Sequence, residues 1–214
     1  TTTTEVVTTT ITETSTETMT ESVAEKIDSE SKKNEISDYS FGAYNILENT
    51  QSKANVWFRK NISWITECTY SDPYYSNVEH MVYKADSNNL KLFGVNWGWA
   101  EISSRTTDDY VYDITFHFSY LDYDHYKKYN TGVHDRKQAE CDLAYKTMYE
   151  KLVDAYGEPT EVYEENDWAK YSCLWEDTND GDIFAWDSKD ENGNGEAGLS
   201  FTVADFDFST RISR

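Results

Sequence analysis

The longest periodic stretch of apolar residues lies in 135–156. Cys141, Tyr145, Met148, Tyr149, Leu152 and Tyr156 recur at intervals of three and four, one stripe of a 3.6-residue helix, while Glu140, Asp142, Glu150, Lys151 and Asp154 take the other side. The pattern predicts an amphipathic helix that buries one face. Its stop is equally legible: Gly157 follows the last periodic residue, suiting a left-handed C-cap position, and Pro159 cannot continue the helix.

Around this helix the period changes to two. Tyr110, Tyr112, Ile114, Phe116 and Phe118 alternate with Val111, Asp113, Thr115, His117 and Ser119, which predicts a strand with one core face and one mostly wet face. Residues 79–85 read as a strand, 86–89 as a turn, and 90–104 as a long strand or a bent pair in which Val95, Trp97 and Trp99 share one face opposite Asn96, Gly98 and Ala100. After the helix, Tyr171, Cys173 and Trp175 alternate in one strand, 183–186 makes a second, and Leu199, Phe201 and Val203 mark a third. The Gly/Asn/Asp-rich stretches 177–182 and 187–198 read as hairpin loops between them. Residues 55–70, with Val56, Trp57, Phe58, Ile62, Trp64 and Ile65, fit either a strand or a short helix. Strands, one long helix, then strands is the order of an α+β fold, an antiparallel sheet with the helix packed on one face. The same order leaves room for two degenerate helix-plus-meander halves, 39–130 and 131–209.

The N-terminal stretch differs in kind. Thr interleaved with Glu dominates residues 1–20, and Glu/Ser/Lys-rich sequence follows to residue 38 with hardly any aromatic side chain. Such a segment buries too little apolar surface to offset its ordering entropy, so 1–38 is expected to be a disordered or extended linker, with 39–209 the domain and 210–214 a short tail. The chain starts on Thr1 without Met, which reads as a trimmed fragment with an export segment upstream and an extracellular or cell-surface location.

Charge narrows the partners. Forty acidic residues against 19 basic give a net charge of −21, which opposes a phosphate backbone and an anionic membrane alike. No apolar run approaches the roughly 20 residues of a membrane span, so membrane contact is expected only through an anchor outside the chain as given. Cys68, Cys141 and Cys173 match no zinc spacing; in an exported protein Cys141 on the helix could bond to Cys173 on a strand beneath it, or pair with Cys68, and otherwise the thiols act as small buried hydrophobes.

Few residues point to chemistry. Asp113, Thr115 and His117 share a strand face and could offer a metal two or three ligands, although a solvated or covered polar face explains them as well. Asp122, Asp124 and His125 cluster in an irregular segment where loop polarity suffices. Asp190, Asn192 and Asn194 before Gly195 match the first half of a calcium loop, but Phe201 stands where a closing Glu belongs, so a plain hairpin loop competes with a calcium site. The signatures of serine esterases, phosphate-cradling loops and zinc proteases are missing from the sequence, which argues against an enzyme. Aromatic residues make up 15% of the chain. Exposed, Trp97 and Trp99 would form a platform for a sugar ring or a protein; buried, they fill the layer under the helix.

The helix ending in Tyr156-Gly157-Glu158-Pro159, the strand with Trp175, the Gly/Asp turn, the strand with Trp186, and upstream the 92–102 stretch followed by the 110–118 strand carry a likeness. In these the chain resembles uncharacterised exported or lipid-anchored proteins of Gram-positive bacteria, and is similar to the β-lactamase-inhibitor-protein and SmpA/OmlA lipoprotein domain types. That resemblance implies a helix packed on an antiparallel sheet, and a binder or assembly factor in place of an enzyme; it carries no functional residue over. The expectation is therefore a non-catalytic, surface-tethered domain acting by protein–protein recognition on its uncovered sheet face. A glycan-binding module using exposed Trp or Tyr, with or without structural calcium, is the alternative.

Overall fold

The computed structural model describes residues 47, 49–61, 65–72, 76–85, 90–129, 131–165, 169–189 and 192–203; the expected linker 1–38 and tail 210–214 lie outside them. Helix α1 is Gln51–Asn61 and strand β1 is Ile65–Ser71, so the stretch of undecided period holds one of each. Then come β2 (Val78–Ala85), β3 (Leu90–Leu92), β4 (Val95–Trp97), β5 (Trp99–Arg105), β6 (Val111–His117), α2 (Tyr123–Tyr129), β7 (Arg136–Lys137) and α3 (Gln138–Tyr156). Strands β8 (Glu161–Tyr163), β9 (Ala169–Thr178), β10 (Gly181–Lys189) and β11 (Asn194–Thr202) complete the chain. The fold is α+β, as the order of periods predicts.

One antiparallel sheet holds the strands in the order β1-β2-β5-β6-β11-β10-β9-β8, with β7 pairing β11 beyond the end of β6. The chain thus runs twice through the same plan: a helix, then a meander that starts at a sheet edge and ends at the centre, where β6 and β11 meet antiparallel. Ala54 of α1 and Cys141, Ala144, Met148 and Leu152 of α3 enter one core with Met81, Tyr83, Ile102, Ile114, Phe116, Leu199 and Phe201 of the sheet. Each Leu, Ile, Met or Phe side chain among them, moved out of water, contributes roughly 1.5–3 kcal/mol. Tyr145, Tyr149 and Tyr156, on the predicted stripe, lie at the helix's edge and are half-buried.

The helix ends where expected, but with a different backbone. Gly157 has φ 84° and ψ −168°, an extended left-handed conformation that essentially only glycine adopts, in place of the expected αL cap. Its N–H donates to the Val153 carbonyl at 2.8 Å, and its own carbonyl accepts from Trp175 Nε1 at 2.8 Å, which pins the helix end to β9.

Three segments depart from the sequence reading. The expected long strand 90–104 is broken by a two-residue turn, Phe93-Gly94, with φ of 50° and 75°, the positive pair that a tight β3–β4 hairpin requires. It breaks again at Gly98, where a side chain would meet the Ser119 carbonyl oxygen at 2.1 Å. The expected loops contract: β9 and β10 are joined at Asn179-Asp180, and most of 187–198 belongs to β10 and β11. Finally, Cys141 and Cys173 are both buried free thiols and form no disulfide. The Tyr145 hydroxyl lies 3.2 Å from Cys173 Sγ, while burial pushes the Cys141 thiol up to about 12 and that of Cys173 to about 11, the state of inert core thiols.

Candidate functional site

The sheet face away from α3 carries the polar and aromatic residues of the alternating strands, and its two halves are unlike. Over β1, β2 and β5 lies α2, which starts where Asp122 Oδ1 accepts the His125 N–H at 2.8 Å. The segment holding Asp122, Asp124 and His125 is therefore a capped short helix and not an irregular loop. Val82, Trp99, Leu121 and Tyr126 form a small second core beneath it, with Tyr70 and Tyr123 against them.

Under that cover the polar groups are tied to one another. His80 spans Asp72 and Ser103, with Nε2 2.8 Å from Asp72 Oδ2 and Nδ1 3.0 Å from Ser103 Oγ. The order carboxylate, imidazole, hydroxyl is that of a nucleophilic relay, but Ser103 is 3% exposed on a central strand, and the chain acts as a lock between β2 and β5. Tyr126 donates to Glu101 Oε2 at 2.7 Å. Asp113 accepts from Thr115 Oγ1 at 2.7 Å and Thr202 Oγ1 at 2.9 Å. Burial nevertheless pushes the Asp113 carboxyl up to about 6, the Thr hydrogen bonds opposing it only in part.

At the centre of the face, Glu196 takes His117 Nδ1 at 2.6 Å and Ser119 Oγ at 2.9 Å on one oxygen and His134 Nε2 at 3.1 Å on the other. Burial works to raise its pKa, but the two imidazoles outweigh it and hold the carboxyl well below the usual range. The His117 ring lies flat against Trp99, centroids 3.7 Å apart and planes 4° apart, and Trp99 Nε1 donates to Ser119 Oγ at 3.2 Å.

The structure therefore scatters the residues that the sequence singles out. Trp97 and Trp99 do not share a face: the bend at Gly98 sends Trp97 into the core under α3, against Phe116, and Trp99 to the far face under α2. Both are essentially inaccessible, 1% and 0% exposed, so neither is a platform. Asp113 and His117 share the far face, which is covered and not wet at Thr115 and Ser119, yet Asp113 accepts from two Thr hydroxyls and His117 Nδ1 meets Glu196, and they do not converge on a metal position. Asp190 lies outside the described residues. Asn194 sits in β11 opposite Lys137, so the run of alternating oxygens enters a strand ladder, and among the described residues no group of three or more His, Cys, Asp or Glu side chains is arranged to hold a metal ion.

The other half of the face, over β8 to β11, presents aromatic rings. Trp186 is flanked in register by Gly198 and Ser172, both small. Its indole lies over Gly198, where a Cβ would meet ring atom Cζ2 at 2.0 Å. Phe184 stacks beside it, centroids 5.7 Å apart and planes 22° apart, and Tyr163 of the edge strand meets Phe184 at 6.1 Å. Phe184 and Trp186 are half-buried and Tyr163 is 39% exposed. Tyr163, Glu196 and Gly198 escape the sequence reading because β8 is three residues long and because Gly198 and Glu196 sit in Gly-rich sequence that looks like loop. A usable signal was there: a glycine inside a strand marks close approach by a large neighbour.

No family model, curated protein or solved structure matches the chain.

Proposed function

We propose that this chain is a non-catalytic recognition domain, tethered at the cell surface behind its Thr-rich linker 1–38, and that it binds a protein partner through the open half of the far sheet face. The observation that supports this reading is Trp186, laid over Gly198 with Phe184 and Tyr163 beside it. Rings seated this way supply contact area at little entropic cost, and large aromatics dominate the energetics of protein interfaces. In the covered half, by contrast, Asp113, Glu196, Ser103 and Ser119 are engaged in internal hydrogen bonds. A net charge of −21 favours a partner with a basic rim, which would speed encounter and make it salt-dependent.

The test compares the wild-type chain with a Phe184→Ala/Trp186→Ala double variant as bait for the surface proteins of the producing organism, with circular dichroism as the control for folding. A protein retained by the wild type at low salt, released by salt and lost by the folded double variant is the expected result. Equal retention by both would refute the reading.

A further inference from the structure

We propose that the cleft between α3 and β9, on the opposite side of the sheet from Trp186, is a separate binding site that takes one pyranose ring of a glycan. The cleft has a volume of about 350 Å³ and is lined by Asp142, Tyr145, Lys146 and Tyr149 of α3 and Tyr171 of β9. That size and its mostly aromatic lining, with a few polar groups, are those of a small-molecule site. The helix residues come from positions three and four apart and so share one edge of α3. Tyr171 stands beside that edge, 46% exposed.

Three rings build the wall. Tyr145 and Tyr171 lie 5.5 Å apart at 23°, and Tyr145 and Tyr149 6.2 Å apart at 27°, so the rings run nearly parallel. Two of their hydroxyls are occupied elsewhere: that of Tyr145 lies against Cys173 Sγ, and that of Tyr149 donates to Glu158 Oε2 at 3.4 Å. What these rings offer a ligand is therefore their carbon surface.

The polar end carries both signs. Asp142 accepts from Lys170 Nζ at 2.7 Å and from Gln138 Nε2 at 2.9 Å. Although its partial burial acts the other way, these donors hold the Asp142 carboxyl below its ordinary range, an acceptor at any physiological pH. Lys146 is exposed and has no ion pair or hydrogen bond among the described residues, which leaves a free donor at the cleft.

These features select the ligand by chemistry. A purely apolar ring would cover Asp142 and Lys146 without replacing their water, at a cost. A cationic ligand meets Lys146 and Lys170, the latter already 5.0 Å from the Tyr171 ring centre. A pyranose has a flat C–H face for the tyrosine wall and hydroxyls on its rim that both donate, to Asp142, and accept, from Lys146.

The experiment is a titration of the isotope-labelled full chain with the methyl glycosides of N-acetylglucosamine, glucose, galactose and glucuronic acid, followed by NMR. The expected result is saturable shifts for at least one glycoside, centred on Asp142, Lys146, Tyr149 and Tyr171. Tyr171→Ala, at an exposed position that folding tolerates, weakens that binding at least about tenfold, as loss of an aromatic anchor does; Tyr171→Phe retains it. Absence of saturable shifts with all four glycosides, an unaffected Tyr171→Ala variant, or shifts gathered on Phe184 and Trp186 would each overturn the proposal, the last without touching the protein-binding reading.

Discussion

The covered and open halves of the far sheet face are made from opposite ends of one sheet and from similar residue types, yet they have opposite fates. In the covered half, Trp99 is sandwiched between His117 and the edge of Tyr126, and nearly every neighbouring polar atom has a partner. In the open half, Trp186 rests on a glycine with Phe184 and the ring of His117 beside it among the described residues. The difference comes from a seven-residue helix, α2, present over one half alone. A tryptophan on a sheet face is thus core or surface according to what crosses above it, and strand alternation carries no information about that.

This contrast gives the largest predicted effect. Trp99→Ala should cost about 3–5 kcal/mol, the range for a large aromatic removed from a packed core, because it opens a cavity under α2 and removes the indole donor to the Ser119 hydroxyl. Trp186→Ala should cost less than about half of that, since its outer surface already faces solvent. Urea unfolding of the two variants measures both; equal losses would mean that the open half is as deeply packed as the covered one. Next in size is Glu196→Gln, at the seam between the halves. It removes the charge that His117 and His134 share and leaves two imidazoles facing a neutral amide, with an expected loss of about 3 kcal/mol at mildly acidic pH. Because the Glu196 carboxyl is held below its ordinary range, the loss should be full above that range and shrink as pH falls through it.

The overall architecture was legible because it rests on period. The stripe from Cys141 to Leu152 and the alternation from Tyr112 to Phe116 each contain enough repeats to define a face, and burial follows them. What sequence reasoning missed depends on single residues. One bend at Gly98 moves Trp97 and Trp99 to opposite faces, and a period-two reading has no way to register it. Gly195 and Gly198 look like loop, but they are strand residues whose missing side chains make room for the Ser188 carbonyl and the Trp186 ring. Helix α2 buries only Tyr126, too little apolar pattern to reveal a helix, so the face beneath it reads as wet. The aromatic residues on the open sheet face are therefore Trp186, Phe184 and Tyr163, while Trp97 and Trp99 are buried.

Gly198→Ala sharpens the comparison from the open side. The added methyl group must displace the indole, at a cost of about 2 kcal/mol for overpacking. Trp186 is then lifted from the sheet without being removed. A partner that needs the seated ring should lose affinity in this variant nearly as much as in Trp186→Ala. Retained binding would mean that the ring contributes area wherever it lies, and that its seat on Gly198 serves only the fold.

The smallest effect is a pH slope that links the two faces of the sheet. On the helix side, Asp187 is buried against Asp142, and burial with that carboxylate pushes it up to about 7; on the far side Asp113 stands at about 6. Both folded values lie above the ordinary value of about 3.9. The fold therefore prefers the protonated forms, and this stabilisation is complete below pH 4 and lost as pH rises through 6 and then 7. Glu196 has the opposite sign: its folded value is depressed, so its contribution is present above the ordinary carboxylate range and is lost as pH falls through it. The melting temperature should accordingly peak in mildly acidic solution and fall by several degrees toward pH 8. Self-repulsion in a chain of charge −21 adds to the same fall, so the slope alone does not assign it. Asp187→Asn separates the two causes. It keeps an acceptor for Gln138 Nε2, which now reaches Asp187 Oδ1 at 2.9 Å, and gives Asp142 an amide donor in place of a second carboxylate. If the buried acid is responsible, this variant melts more evenly across pH 5 to 8 and exceeds the wild type at the alkaline end; an unchanged slope would assign the loss to surface charge.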